Sequence, residues 1–263
     1  MARELRDRDL ADAILEKKAY LCLMQKIVLL AALLAISLQL PAQDDYRTYR
    51  EKADIASTFF RGRQAVIYPF VFNGTYYWES SQFRKGDIRY NGKLYYDVML
   101  NINAARQELE AKSPNGVFNV LLNSGCVEWF VIDGVKYVNP SFYGWEGAPG
   151  YWQVLYDGKA RVLRQVVKTL DRDLEGYYGA QLRFNDPNYR ADAQYLFVGS
   201  EKYCIVAEDG TVTPLPLRSA FLKLYKPYKK SIKRHISGLE EKKTLSLGEF
   251  LTEAVEYVEG LEK

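Results

Sequence analysis

The sequence has few of the residues that usually carry catalysis or bind metals. It contains one histidine, His235, and three cysteines among 263 residues. Any serine–histidine–aspartate or cysteine–histidine device would therefore depend on His235, which lies in a lysine-rich helical stretch typical of a solvated position. Nucleophile-elbow and phosphate-loop motifs are also missing. We predict no catalytic residues, no metal ligands and no cofactor.

Strong charge of either sign is missing as well. The formal net charge is +3, with 26% charged and 48% hydrophobic residues, which excludes a disordered or collagen-like chain. A nearly neutral balance argues against a nucleic-acid partner. Aromatic residues are plentiful, with 21 Tyr, 12 Phe and 4 Trp, and they favour β-sheet.

The longest apolar run lies near the N-terminus. Residues 24–26 form a short basic start, residues 27–40 are apolar except for Ser37 and Gln39, and residues 41–43 are Pro-Ala-Gln, which is the layout of a cleavable secretory signal. The run is shorter than the roughly 20 residues that span a bilayer, so we predict no membrane span in the mature chain. Cys22 precedes the run, and lipid anchoring would need a cysteine after the cleavage point. We expect an exported protein, periplasmic or extracellular, without a lipid anchor.

Residues 1–23 carry charges of both signs, unlike the short basic region of a signal peptide. We interpret them as the product of a mis-assigned start; the alternative is an amphipathic cytoplasmic extension. Export would also permit a disulfide between Cys126 and Cys204, both of which lie in apolar, strand-like segments. The alternative is a pair of reduced core cysteines.

Turn signals recur along the central part of the chain. Asparagine or aspartate precedes glycine at Asn73-Gly74, Asn91-Gly92, Asn115-Gly116, Asp133-Gly134, Asp157-Gly158 and Asp209-Gly210. Both residue types tolerate the positive φ of tight hairpins, and apolar or aromatic runs flank nearly every pair. The pattern predicts an antiparallel meander of about ten to twelve strands, including separate strands at residues 66–72, 193–198 and 203–207.

The apolar spacing becomes helical after Pro216. Gly238 is a plausible helix stop, and Ser246 with Glu249 three residues later predicts a capped final helix from Leu247. The predicted fold is mainly β, an antiparallel β-sandwich or partly open barrel with a C-terminal helical tail. The predicted organisation is an extension at 1–23, a signal peptide at 24–43, a lead-in at 44–60, a β domain at 61–216 and a helical tail packed on it at 217–263.

Two segments suggest binding surfaces. Residues 139–150 form a glycine- and proline-rich loop surrounded by the aromatic candidates Tyr143, Trp145, Tyr151 and Trp152. These rings are candidates for binding a saccharide or an apolar ligand; the alternative is that they complete the core. The lysine-rich stretch around Lys229 suggests contact with anionic lipid or an acidic partner, or else a solvated face behind packed Ile232 and Ile236.

Oxygen-bearing side chains at Asp186, Asn188 and Asp192 depart from the spacing of a calcium loop, and we assign them turn and capping roles. No metal site is predicted there.

Segments 86–100, 129–138 and 150–159, with the basic tail near Tyr228, carry a family resemblance. They resemble a loose group of uncharacterised secreted proteins from Bacteroidetes, over most of the mature chain. The resemblance implies secretion. The group has no established activity, so no functional residue is carried over.

The function expected from the sequence is that of an exported envelope protein, non-enzymatic, that binds an envelope protein, a saccharide or an apolar ligand. One alternative is a hydrolase that acts on an envelope or dietary polymer through an unidentified carboxylate pair. Another is a structural subunit of an envelope assembly.

Overall fold

The computed structural model describes residues 58–65, 67–172, 190, 192–241 and 243–261. The predicted signal peptide and the extension before it lie outside these residues, as do most of the lead-in segment and the predicted turn residues Asp186 and Asn188.

Twelve strands in the described part of the chain join into one sheet that does not close. They are β1 (Arg63–Gln64), β2 (Phe72–Asn73), β3 (Arg84–Tyr90), β4 (Lys93–Asn103), β5 (Glu108–Lys112), β6 (Asn119–Leu121), β7 (Val127–Ile132), β8 (Val135–Val138), β9 (Trp152–Asp157), β10 (Arg161–Arg172), β11 (Tyr195–Val206) and β12 (Val212–Pro214).

The strand order is β1-β6-β5-β4-β3-β7-β8-β9-β10-β11-β12, and every pairing along it is antiparallel. Strand β2 lies off this path and pairs with β11 in parallel. The prediction of a mainly β, antiparallel fold with a helical C-terminus is confirmed, and the β2–β11 pair is the exception.

Two hairpins show why the chain turns where it does. Asn91 and Gly92 have φ values of 51° and 74° between β3 and β4, and Asp133 and Gly134 have 50° and 78° between β7 and β8. Two consecutive left-handed residues match the twist of the flanking strands, so each turn also sets the register of its hairpin. Ile88 consequently pairs with Tyr95 in the first hairpin and Phe130 with Tyr137 in the second, and Ile88 and Phe130 are fully buried.

Three helices follow the sheet: α1 (Arg218–Leu224), α2 (Lys229–Glu240) and α3 (Leu247–Leu261). They pack on the face of β10 and β11 that carries Val162, Tyr203 and Ile205. Because side chains alternate along a strand, the neighbouring Leu163 and Cys204 face the opposite side, where they pack with the loop after β8.

The helices are held by their apolar faces. Ile232 and Ile236 of α2 are buried, as are Phe250 and Leu251 of α3. None of the helices in the described segments is both long and apolar enough to cross a membrane.

Candidate functional site

The loop between β8 and β9 is tied down at its start by Asn139. Its Nδ2 donates to the carbonyl oxygens of Ser124 and Val127, each at 2.9 Å. Its Oδ1 accepts a hydrogen bond from the Ser141 hydroxyl at 2.7 Å. This buried amide therefore joins the loop to the turn that precedes β7.

The end of the same loop is held by two glutamines, Gln107 and Gln165, which we call the amide clamp. Buried Gln165 donates from Nε2 to Oε1 of Gln107 at 3.0 Å and to the carbonyl of Pro149 at 2.7 Å. Gln107 donates in turn from Nε2 to the carbonyls of Ala104 at 2.8 Å and Val166 at 2.9 Å. The clamp links the β4–β5 turn, β10 and the loop.

Glycine lets the loop approach the clamp closely. Gly144, Gly147 and Gly150 have φ values of 68°, 84° and 84°, which side chains rarely tolerate. A Cβ atom at Gly150 would lie 2.7 Å from both Oε1 of Gln107 and Nε2 of Gln165. Only glycine fits there without displacing the clamp.

A cavity of about 690 Å³ opens under this loop, and we call it the loop pocket. Hydrogen-bonding side chains, aromatic rings and main chain line it: Gln107, Ser124, Gly125, Asn139, Ser141, Gly144, Trp145, Glu146, Gly147, Ala148, Pro149, Gly150 and Tyr151. This lining includes one carboxylate, Glu146, and no lysine, arginine or histidine. The pocket thus presents mostly neutral donors and acceptors.

Of the predicted aromatic residues, Trp145 forms a wall of the pocket. Its ring stacks on Tyr143 with centroids 4.7 Å apart, and the Arg161 guanidinium lies 5.5 Å from its centroid. Trp145 is only 8% exposed, whereas Tyr143 is 39% exposed but does not line the cavity. Trp145 and Tyr143 therefore form a packed edge of the pocket and not an open aromatic surface.

The other two predicted residues lie deeper. Trp152 donates from Nε1 to the carbonyls of Ala148 and Pro149, at 3.2 and 3.1 Å, and so supports the loop from beneath. Tyr151 lines the pocket and packs edge-on against Phe130, with centroids 5.3 Å apart. Its buried hydroxyl has no hydrogen-bond partner among the described residues, and burial raises its pKa.

The polar half of this site was not predicted from the sequence. Gln107, Ser124 and Asn139 supply hydrogen-bonding groups to the pocket, and Gln165 holds it in place. The one available signal was Gln165 itself, a polar residue inside the apolar run of β10. Buried polar groups are nearly always hydrogen-bonded, so that position implied a partner without identifying it.

A second cavity of about 450 Å³ lies between the start of α3 and the strands, and the carboxylates of Glu201, Glu249 and Glu253 line it. Burial opposes ionisation of Glu201, but hydrogen bonds from Tyr203 and Arg164 outweigh it and lower the pKa. Lys243 is the main cause that lowers the pKa of Glu249 to about 2. Both groups are ionised at neutral pH, which suits ion pairing better than donation of a proton.

The carboxylate of Glu110 on β5 has the opposite shift, a raised pKa. It is 1% exposed and accepts hydrogen bonds from the Tyr77 hydroxyl at 2.9 Å and from Nδ2 of Asn103 at 3.3 Å. Burial raises its pKa despite these two donors. It lines a small cavity of about 140 Å³ together with Tyr76 and Phe118.

Cys126, which is half-buried, and Cys204, which is buried, are both free cysteines in the structure. Burial raises the pKa of Cys204 to about 12. Within the described ranges, no group of three or more His, Cys, Asp or Glu side chains is placed to hold a metal ion. Asp192 forms an ion pair with Arg190 at 3.0 Å.

Comparison of the chain with protein-family models, curated protein sequences and solved structures finds no match. The chemistry of the loop pocket is therefore the basis on which a function is proposed.

Proposed function

We propose that the protein is an exported, non-enzymatic binding protein of the cell envelope, and that its loop pocket takes a neutral, hydroxyl-rich ligand such as a saccharide. One observation carries the proposal: neutral amide and hydroxyl groups surround a cavity whose wall is held by the buried amide clamp.

The lining suits hydroxyl groups because amides and hydroxyls offer both donors and acceptors. Ser124, Asn139 and Gln107 are such residues, and Glu146 adds an acceptor. No cationic side chain lines the cavity to favour a phosphate or carboxylate. The aromatic edge at Trp145 provides an apolar contact for the carbon face of a sugar ring.

The size and rigidity of the cavity support the same proposal. A volume of about 690 Å³ lies within the range of roughly 300–1,000 Å³ that is usual for small-molecule sites. Asn139 and the amide clamp hold both ends of the loop before a ligand arrives. A wall that is already ordered loses less conformational entropy on binding, and this strengthens affinity.

The test is a calorimetric titration of the full chain with ligands selected on an array of neutral and charged oligosaccharides. Gly125→Phe fills the pocket from a position where a Cβ has only one near neighbour, Oδ1 of Asn123 at 3.4 Å. We expect the affinity to fall at least about tenfold, a change of roughly 1.4 kcal/mol. Gly238→Phe is the matched control, since a Cβ there meets nothing within 4 Å and the residue lies on α2.

Unchanged affinity in Gly125→Phe would show that the ligand lies elsewhere, and binding of charged but not neutral glycans would contradict the ligand class. Export is tested separately by N-terminal sequencing of the protein from an envelope fraction. We expect a start just after Ala42 or Gln43. An unprocessed chain confined to the cytosol would contradict export.

A further inference from the structure

Helix α2 and the segment before it carry positive charge that the fold does not neutralise. Residues 211–239 contain seven lysines and arginines and no acidic residue. Arg218 pairs with Glu240 at 2.7 Å. The other six are exposed and form no ion pair with any described residue; we call them the cationic patch: Lys223, Lys226, Lys229, Lys230, Lys233 and Arg234.

The packing of α2 turns this patch outward. Ile232 is 0% exposed and Ile236 is 4% exposed, and both belong to the cluster that joins the helices to the sheet. Lys230 and Arg234 lie one helical turn apart on the opposite side of α2, Lys229 and Lys233 lie along its flank, and all four are exposed. The apolar side fixes the helix, and the charged side is presented to solvent.

The patch lowers the stability of its own helix. Lys229 and Lys230 occupy the first turn of α2, which has no acidic residue, so they face the positive end of the helix dipole. Lys229 with Lys233, and Lys230 with Arg234, are like charges four residues apart and repel each other. These positions are therefore poorly explained as contributions to folding.

Two of the four acids of the neighbouring α3 are engaged elsewhere. Glu249 pairs with Lys243, and Glu259 accepts a hydrogen bond from the backbone of Ala160 at 2.8 Å. Glu253 and Glu256, the other two acids of α3, form no ion pair with a described residue. No carboxylate of α3 therefore neutralises a residue of the cationic patch.

We propose that the cationic patch binds the surface of an anionic phospholipid bilayer. Five of its six residues are lysines, which act as mobile point charges without the planar fork of arginine. Such a set suits a fluid array of phosphates better than oriented carboxylates on a folded partner. Leu217 and Leu224, at the two ends of α1, are 64% and 47% exposed and add apolar contacts at the membrane interface.

The test compares the full chain on vesicles of phosphatidylcholine alone and on vesicles that also contain phosphatidylglycerol, by co-sedimentation at low and moderate salt. Each lysine near an anionic surface is expected to strengthen binding about fivefold. Lys229→Gln with Lys233→Gln should therefore weaken binding to anionic vesicles on the order of 25-fold. The apolar segment at 27–40 is common to all variants, so neutral vesicles measure its contribution.

The matched control is Lys85→Gln with Lys93→Gln, two exposed lysines of the β3–β4 hairpin that form no ion pair with described residues. It should bind anionic vesicles as the unaltered chain does. Thermal unfolding of the patch variant should be unchanged or slightly raised, because like-charge repulsion is removed.

Equal binding by the patch variant and the control, or no preference for anionic over neutral vesicles at low salt, would overturn the proposal. Binding to soluble polyglutamate as tight as to vesicles, unaffected by Leu217→Ser with Leu224→Ser, would indicate an acidic protein partner instead and would also overturn it.

Discussion

Two buried polar clusters lie at the β4–β5 hairpin, and they differ in one respect. The amide clamp of Gln107 and Gln165 is neutral, whereas the cluster of Glu110, Tyr77 and Asn103 contains an ionisable group. A neutral amide costs little to bury once it is hydrogen-bonded, but a carboxylate also loses its hydration when it ionises. The clamp should therefore act independently of pH, and the Glu110 cluster should not.

The largest effect is expected from breaking the clamp. Gln165→Leu removes the donor to Oε1 of Gln107 and the shorter of two donors to the Pro149 carbonyl, which keeps its bond from Nε1 of Trp152. Leaving one buried acceptor without a donor costs about 1–3 kcal/mol, so we expect the free energy of unfolding to fall by about 2 kcal/mol. Urea denaturation at pH 5 and pH 8 should give the same loss.

Gln64→Leu serves as the control because Gln64 is an exposed residue of β1. Its effect should stay within about 0.5 kcal/mol. A similarly small loss for Gln165→Leu, or a loss that changes with pH, would remove the distinction between the two clusters.

Glu110→Gln tests the ionisable cluster. The folded pKa of Glu110 is raised above that of the unfolded chain, which is about 4.3 for glutamate. Stability linked to this proton is therefore fully present below about pH 4.3 and is lost as the pH rises through the folded pKa. We expect the free energy of unfolding of the variant, minus that of the unaltered chain, to increase from pH 4 to pH 8.

The trend with pH is the useful measurement in this experiment. The new amide retains an acceptor for Tyr77 but can oppose the Asn103 amide, and that penalty does not depend on pH. Denaturant unfolding at several pH values separates the two contributions. Parallel stability curves, or a difference that shrinks as the pH rises, would show that Glu110 does not titrate as proposed.

The local half of the fold was predictable from short motifs. Asn91-Gly92 and Asp133-Gly134 form the expected hairpins, and Ser246 with Glu249 forms the expected capping box. Each signal acts within four residues, so neighbouring sequence contains all the information needed.

Some predicted strand and helix boundaries were wrong, and for the strands the cause is pairing across the sheet. Residues 193–198 and 203–207 were predicted as two strands, but β11 is continuous because β10 pairs along all of it, from Arg161 with Val206 to Arg172 with Tyr195. Residues 66–72 were predicted as a strand, yet the described part of that segment pairs only at β2, in parallel with β11. Gly238 did not stop α2, which continues to Glu240.

In the candidate site, too, the local features were predictable from the sequence and the long-range contacts were not. Aromatic residues around a glycine-rich loop are visible in the sequence, and Trp145 and Tyr151 do line the pocket. The amide clamp joins residues 58 positions apart, and no local pattern relates them. Long-range hydrogen bonds of this kind become apparent only once the strands are placed.

A smaller effect of opposite pH sign is expected at the exposed end of α3. Ser246→Ala removes the hydroxyl that accepts from the Glu249 amide at 3.2 Å, and loss of such a cap costs about 1 kcal/mol at pH 7. Because the folded pKa of Glu249 is about 2, the stability that this carboxylate adds is present above about pH 4.3 and is lost as the pH falls towards 2.

Thermal unfolding followed by circular dichroism measures both the stability lost in Ser246→Ala at pH 7 and the stability lost as the pH falls. Ser237→Ala, at an exposed position within α2, should leave the unfolding temperature almost unchanged. Two results would show that burial does not cause the contrast between Glu110 and Glu249. One is an unfolding temperature that Ser246→Ala leaves as unchanged as Ser237→Ala does. The other is an α3 cap that acid stabilises, as acid should stabilise the Glu110 cluster.

The smallest expected effect concerns only the reactivity of two thiols, Cys204 and Cys126. Cys204 is 2% exposed, and burial raises its pKa to about 12, so both access and thiolate formation are suppressed. Half-buried Cys126 lies in the turn before β7 and is accessible by comparison. Peptide mapping after brief treatment with iodoacetamide at pH 8 should find Cys126 alkylated well before Cys204, and full reaction of Cys204 should require denaturant. Equal labelling of the two in the folded protein would mean that the face of β10 and β11 beneath the loop opens readily, and that the amide clamp does not hold it closed.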